Sequence, residues 1–298
     1  MAFNPLMIRL TAEIAPMLRP QARVAELGNQ TFKPSRDILA EVAAFMQRER
    51  PDWRDDQLMA IARRTGVALE ESSAEYMQSI GFGAYTCIDV NQRYGALQMD
   101  LNYLLADKYQ FVDEFDLVTN NGTGEHIFDQ GSVFRNVHAL TRAGGVMVHV
   151  MPFHNYVNHG FYNFQPVLFH DLARANDYEI LRLSLANRNG PEIAFVGGDM
   201  GPTTRAVKTF PQNAILDRTI AWPGLHDLKA RTLKRSMKPI ARAMRSLSSS
   251  RANILVVAIL RKTRADAFRI PMQGMYAGQN ISSEAIATAY AGGKASSD

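Results

Sequence analysis

One stretch narrows the folds open to this chain more than any other. The apolar run Phe115-Asp116-Leu117-Val118 ends in the polar series Thr119-Asn120-Asn121-Gly122-Thr123-Gly124-Glu125-His126-Ile127. An amphipathic segment follows, closes on Gly144-Gly145 and gives way to Val146-Met147-Val148-His149-Val150. The pattern reads strand, polar loop, helix over Ser132 to Ala143, glycine stop, strand. In an open parallel sheet, ligands bind beyond the carboxyl ends of the strands. The cluster from Asn120 to His126 therefore falls where chemistry is expected.

The rest of the chain repeats this grammar. Arg23 to Gly28 reads as a short strand ending in a glycine turn. Ala84 to Val90 is a strand ending near Asp89, and Ala96 to Leu101 is a weaker strand beside Asp100. Asn163 to Asn176 has a helical period with Pro166 in its first turn. Tyr178 to Leu185 and Asn253 to Arg261 complete the strands. Strands alternating with helices predict an α/β, Rossmann-like, doubly wound and mostly parallel sheet with helices on both faces. The final two strands have no convincing helix pattern immediately beside both ends and are expected to pair antiparallel across the insertion between them. Asn4 suits a cap and Pro5 a first helical turn, so Leu6 to Leu18 reads as an amphipathic helix.

These elements predict one domain over residues 1–277, with a helical insertion at 33–80 and a second insertion at 188–252. Gly66 is a candidate stop for one helix of the first insertion. Residues 278–298 are small and polar and read as a flexible tail.

Charge is unevenly placed on the 298-residue chain, whose net charge is +4. Eleven Lys and Arg residues lie between Lys229 and Arg264 with no acid among them. Leu228, Leu233, Met237, Ile240, Met244 and Leu247 recur between the first of these cations, and Pro239 interrupts them. Residues 228–247 thus read as a kinked cationic helix. It suits weak contact with an anionic membrane surface, attraction of phosphorylated substrates, or a plain solvated face. Aromatic residues are not interleaved with the cations, and no nucleic-acid partner is expected. A single cysteine, Cys87, excludes an intramolecular disulfide and reads as a buried thiol. No apolar run approaches the ~20 residues that span a bilayer. A soluble, cytoplasmic protein is the expectation.

The order of elements from Arg23 to Leu185, extended to Arg261, resembles the class I S-adenosylmethionine-dependent methyltransferases. Glu26-Leu27-Gly28-Asn29-Gln30-Thr31-Phe32 resembles that family's acid-x-Gly-x-Gly-x-Gly turn. Glu26 and Gly28 match, while Gln30 and Phe32 replace the second and third glycines. Glu125-His126-Ile127 with Leu140-Thr141-Arg142-Ala143-Gly144-Gly145 resembles its "EHv … LkPGG" pattern. The segment His159 to Ile180 resembles its downstream helix and strand, with Asn176-Asp177 in place of the usual glycine. The resemblance implies S-adenosyl-L-methionine as cofactor, held by Glu26, Gly28, Asn29 and Gln30 in the turn. It further implies Asp89 on the ribose hydroxyls, Asp100 and the Leu101 backbone on the adenine, and Asn120 at the methionine end. The implied partner is a small-molecule methyl acceptor, an oxygen or nitrogen nucleophile, with a saccharide or lipid-linked saccharide among the candidates.

Glu125, His126 and His159 are the candidate catalytic residues. A histidine near neutral pKa takes a proton from an attacking hydroxyl or amine; the competing role for Glu125 and His126 is to cap the next helix. Asp89 has a capping alternative too. His149 sits within an apolar strand and reads as a core histidine. His126, His149, His154 and His159 lie near one strand edge, but their spacing with Glu125 matches no metal-ligand pattern, so no metal site is expected. Tyr156, Phe161, Tyr162 and Phe164 read either as an apolar or sugar-stacking wall or as core. The broken glycine series keeps open a non-catalytic binding or assembly module of the same fold. A nucleotide-binding oxidoreductase is disfavoured because the turn lacks GxGxxG.

Overall fold

The computed structural model describes residues 2–32, 34–64, 73–187, 192–194 and 253–272. The cationic segment 228–247, the expected tail and Gly66 lie outside the described residues.

In chain order the elements are β1 (Ala2–Phe3), α1 (Pro5–Ile14), β2 (Val24–Leu27), β3 (Thr31–Phe32), α2 (Arg36–Glu49), α3 (Asp56–Arg64), α4 (Ala74–Ser79), β4 (Tyr85–Asp89) and β5 (Leu97–Gln98). Then come α5 (Leu105–Tyr109), β6 (Phe115–Asn121), α6 (Gln130–Leu140), β7 (Thr141–His154), α7 (Pro166–Asn176), β8 (Glu179–Asn187), β9 (Glu192–Ala194) and β10 (Ile254–Arg261). The main sheet runs β5-β4-β2-β6-β7-β10-β8-β9, and β1 pairs with β3 apart from it. Pairing is parallel from β5 through β7. β10 lies antiparallel between β7 and β8. This is the Rossmann-like, doubly wound sheet with an antiparallel last strand that the sequence predicts.

Strand periodicity explains the two buried faces. Val146, Val148 and Val150 of β7 join one apolar cluster with α1, α2, α3 and α4, whereas Met147 and Met151 turn to the clusters of α5, α6 and α7. The helices of the 33–80 segment thus form a layer over the first face. The Asn4 side chain accepts from the Met7 N–H at 3.2 Å, and Pro5 opens α1, as read from sequence. The helix is not amphipathic in the expected sense: eight of its ten residues are buried, Glu13 among them. The Glu13 carboxylate meets the Arg182 guanidinium of β8 at 2.8 Å, and Arg9 meets Glu41 of α2 at 2.8 Å. Its polar residues are matched by partners on both sides instead of facing water.

Two boundaries differ from expectation. Helix α6 ends at Leu140, not at Ala143, and Gly144-Gly145 is a bulge at the start of β7. The register jumps there from Phe115↔Thr141 to Leu117↔Val146. Gly144 takes φ +80, and its N–H reaches the Lys262 carbonyl at 2.6 Å. A left-handed glycine is what lets the strand bulge and still bond its neighbour. The strand expected over Ala96 to Leu101 is only Leu97–Gln98. Asp100 stops it by turning its carboxylate onto the Asn102 N–H at 2.9 Å. At the end of α7, Asp177 adopts φ 55, the left-handed cap that Asn176-Asp177 suggests. Cys87 is buried and free. No helix among the described residues is long and apolar enough to cross a membrane.

Candidate functional site at the strand crossover

The chain winds from β2 to β4 and β5 on one side, then from β6 to β7 on the other. The reversal falls between β2 and β6, so the crevice beyond their carboxyl ends is the expected ligand position. Glu26, Gly28, Asn29 and Gln30 lie at the end of β2, Asp89 at the end of β4, Asp100 and Leu101 after β5, and Asn120 at the end of β6. The structure places all eight along this edge.

Asp89 is the hub of the first part. One carboxylate oxygen accepts from the backbone N–H of Asn29, in the glycine turn, at 2.8 Å; the other accepts from the Asn91 N–H at 3.0 Å and the Asn91 side chain at 2.8 Å. Asp89 therefore ties the turn after β2 to the turn after β4 and does not cap a helix. Val90, Leu97 and Tyr103 are exposed apolar side chains close by in sequence to Asp89 and Asp100. Asp100 is committed to Asn102 through its own turn, and Leu101 is buried in the core with its side chain.

The turn itself is closed over by the chain. Gly28 has φ +77. A Cβ at Gly28 would stand 2.1 Å from the Thr123 hydroxyl oxygen, so glycine is needed for Thr123 to fit. That hydroxyl donates to the Leu27 carbonyl at 2.7 Å. The Gln30 side chain is buried and donates to the Asn121 carbonyl at 3.0 Å. Gln30, in the position of the family's second glycine, therefore stitches the β2 turn to the β6 turn. Sequence reading missed Asn121 and Thr123, although both lie in the polar run that drew attention to this edge. For Asn121 its place next to Asn120 was the available signal, since successive strand residues point to opposite faces; Thr123 lies beyond the strand, where that rule does not reach.

Polar atoms here lack partners. Glu26 Oε1, Gln30 Oε1 and both side-chain heteroatoms of Asn121 are buried without a hydrogen bond. Buried polar groups left this way are costly, and several along one edge fit a polar ligand. Burial pushes the Glu26 carboxyl up to about 7, although the Ser73 and Tyr85 hydroxyls both donate to it. Its pKa exceeds the unfolded value, so the stability tied to its proton is present below pH 4.5 and lost as pH rises to 7. Glu26→Gln is expected to remove this loss. Between pH 5 and pH 8 the wild type should lose about 2–3 kcal/mol more than the variant in urea unfolding. Equal losses would place the Glu26 charge elsewhere.

Asn120 looks inward. Its oxygen accepts from the Gly124 N–H at 2.9 Å, and its amide nitrogen is 3.3 Å from His149 Nδ1. His149 is buried and pushed down to about 3 by that burial, which makes it the neutral core histidine read from sequence.

The second part of the site lies after β6. Glu125 and His126 occupy a 3-10 turn, Gly124–His126. They do not cap α6; Asp129 does, accepting from the Ser132 N–H at 3.0 Å. The loop after β7 folds back on this turn, with the Phe161 N–H donating to the Glu125 carbonyl at 2.7 Å. That contact brings His159 to Glu125. Glu125 Oε1 is 3.4 Å from His159 Nε2 and 3.8 Å from His126 Nε2. Neither contact is aligned as a hydrogen bond, and both Glu125 oxygens are buried without one. Burial raises the Glu125 carboxyl to about 7. Burial, then the nearby His159, lowers His126. All three candidate catalytic residues meet, and His154 stays exposed at the end of β7. Phe128 and Phe161, both exposed, stand edge to face at 6.0 Å beside them, and the Tyr162 hydroxyl donates to the Phe128 carbonyl at 2.9 Å. Tyr156 and Phe164 are buried, so of the expected aromatic wall Phe161 and Tyr162 remain at the rim.

No protein-family model matches the chain, and no curated protein matches it. Solved structures similar to it include the 1,6-didemethyltoxoflavin-N1-methyltransferase of Burkholderia thailandensis with bound 1,6-didemethyltoxoflavin and S-adenosylhomocysteine. That likeness has 13% identity over 86% of this chain and 78% of the other, with a TM-score of 0.37. A methyltransferase of Thiobacillus denitrificans in complex with S-adenosylhomocysteine shows 15% identity over 88% and 94%, with a TM-score of 0.36. An O-methyltransferase from a trans-AT polyketide synthase of Brevibacillus brevis, also with S-adenosylhomocysteine, shows 10% identity over 88% and 73%, with a TM-score of 0.35.

Proposed function

We propose that the chain transfers a methyl group from S-adenosylmethionine to an oxygen or nitrogen of a small molecule. The observation that carries this reading is Asp89, a strand-end carboxylate bonded to the Asn29 N–H of a glycine turn at the crossover of a doubly wound sheet. A carboxylate there accepts from ribose hydroxyls. Val90, Leu97 and Tyr103 offer apolar surface for a base. The partnerless atoms of Glu26, Gln30 and Asn121 suit the charged and polar remainder of the cofactor.

When bound, S-adenosylmethionine supplies an electrophilic methyl on a sulfonium. The chain's task is then to position the acceptor and remove water. Glu125, His126 and His159 provide the polar wall for an acceptor hydroxyl or amine, and Phe128 and Phe161 provide a flat apolar rim suited to a sugar face or an aromatic ring.

The test is thermal unfolding with S-adenosylhomocysteine and, separately, NAD. S-adenosylhomocysteine should raise the melting temperature by mass action and NAD should not. Asp89→Ala should weaken the first by about 1.5–3 kcal/mol, the scale of a lost charged hydrogen bond. No shift with S-adenosylhomocysteine at millimolar concentration would reject the cofactor assignment, and a shift with NAD would favour an oxidoreductase.

One observation favours a second reading, a non-catalytic binding module. Thr123 fills the space over Gly28, and Gln30 seals the turn beside it. If that closure is permanent, Thr123→Ala should create S-adenosylhomocysteine binding where the wild type has none. In the enzyme reading the wild type binds, with the 122–124 turn moving aside.

A further inference from the structure

We infer that Glu125, His126 and His159 form a binding site for one divalent transition-metal cation, of the kind Zn2+ represents. The inference goes beyond the methyl-transfer reading and does not depend on it.

The donor atoms of the three residues lie within 4.8 Å of one another. Glu125 Oε1 is 3.4 Å from His159 Nε2 and 3.8 Å from His126 Nε2. Imidazole nitrogens and carboxylate oxygens bind Zn2+ at about 2.0–2.2 Å, which sets donors of a tetrahedral site about 3.4 Å apart. The spacing already present is close to that, so small rotations of two side chains complete it.

A second observation points to a ligand. The Glu125 side chain is 0% exposed, and neither of its oxygens makes a hydrogen bond. A buried carboxylate normally has a cation or several donors around it. Its ionisable neighbours among the described residues are two imidazoles, which as neutral rings are ligands for a shared cation. The loop after β7 is built for this approach. A Cβ on Gly160 would stand 2.8 Å from the Glu125 carbonyl oxygen and 2.9 Å from its Cγ, so only glycine lets His159 lie against Glu125.

Two nitrogens and one carboxylate favour zinc and its first-row neighbours over Mg2+ or Ca2+, which take all-oxygen sets. The side chains of His126 and His159 are 43% and 33% exposed. Three protein donors with an open side leave a coordination position for water or for an acceptor oxygen, as catalytic zinc sites do. The chain spacing hid the site, because the donors come from two loops more than thirty residues apart and not from one helix or hairpin.

The full-length protein, stripped of metal, should be titrated with Co2+ and followed by visible absorption, then with Zn2+ against a chromogenic chelator. One equivalent of Co2+ should give ligand-field bands, and Zn2+ should displace it. His126→Ala, His159→Ala and Glu125→Gln should each weaken Zn2+ at least tenfold, while His154→Ala and Asp89→Ala leave it unchanged. The two histidines are part-exposed, so their variants should keep the wild-type melting curve. Absent bands in the wild type, or unaltered Zn2+ affinity in both histidine variants, would overturn the inference. S-adenosylhomocysteine binding is read separately: its loss with metal binding intact rejects the methyl-transfer reading alone, and the reverse rejects the cation alone.

Discussion

Arg182→Ala is expected to destabilise the fold by about 3–5 kcal/mol, the usual cost of breaking a buried ion pair by removing one partner. Glu13 and Arg182 join α1 to β8 at 2.8 Å, with side chains 1% and 7% exposed. Removing the guanidinium takes the Arg182 charge away from Glu13, whose helix packs Ile8, Leu10 and Ile14 into the apolar layer. Urea unfolding would show a lower midpoint with an unchanged slope. The double variant Glu13→Leu, Arg182→Met should recover most of the loss, because an apolar pair of similar volume removes both charges. A wild-type midpoint for Arg182→Ala would mean that the pair does not hold the helix to the sheet.

The other large effect concerns turnover. Glu125→Gln and His126→Ala are each expected to lower methyl transfer to an accepted substrate by about 10²–10⁴-fold, the usual contribution of a positioned proton-handling group. S-adenosylhomocysteine affinity should stay within about twofold of wild type, since neither residue is among its proposed contacts at Asp89, Glu26, Gln30 and Asn121. Single-turnover kinetics together with titration separate the two quantities. Unchanged turnover in both variants would remove proton handling from the group.

Much of the frame was readable from the chain because its causes are local. Continuous apolar runs gave β6, β7 and β10, Asn4-Pro5 gave the start of α1, and Asp177 took the left-handed cap that short polar residues tolerate. What escaped was non-local. Glu13 reads as the solvent face of an amphipathic helix until Arg182 arrives from β8. Gly144-Gly145 reads as a helix stop, but the partner carbonyl of Lys262 makes it a bulge. Gln30 reads as a lost glycine, and only the fold reveals that its amide reaches Asn121. Within the site, Asp89 and the Glu125-His126 pair were visible as residues. The approach of His159 to Glu125 depends on a loop closure that no spacing rule encodes.

The placement of β10 governs the order in which the sheet is completed during synthesis. Until residues 254–261 emerge, β7 and β8 have no strand between them, and both present open edges. At about 5–20 residues per second, the stretch after β8 keeps those edges exposed for several seconds. Unpaired edges invite pairing with other chains. A nascent chain halted before Ile254 should therefore be captured by chaperones or aggregate, and one extended past Arg261 should resist protease.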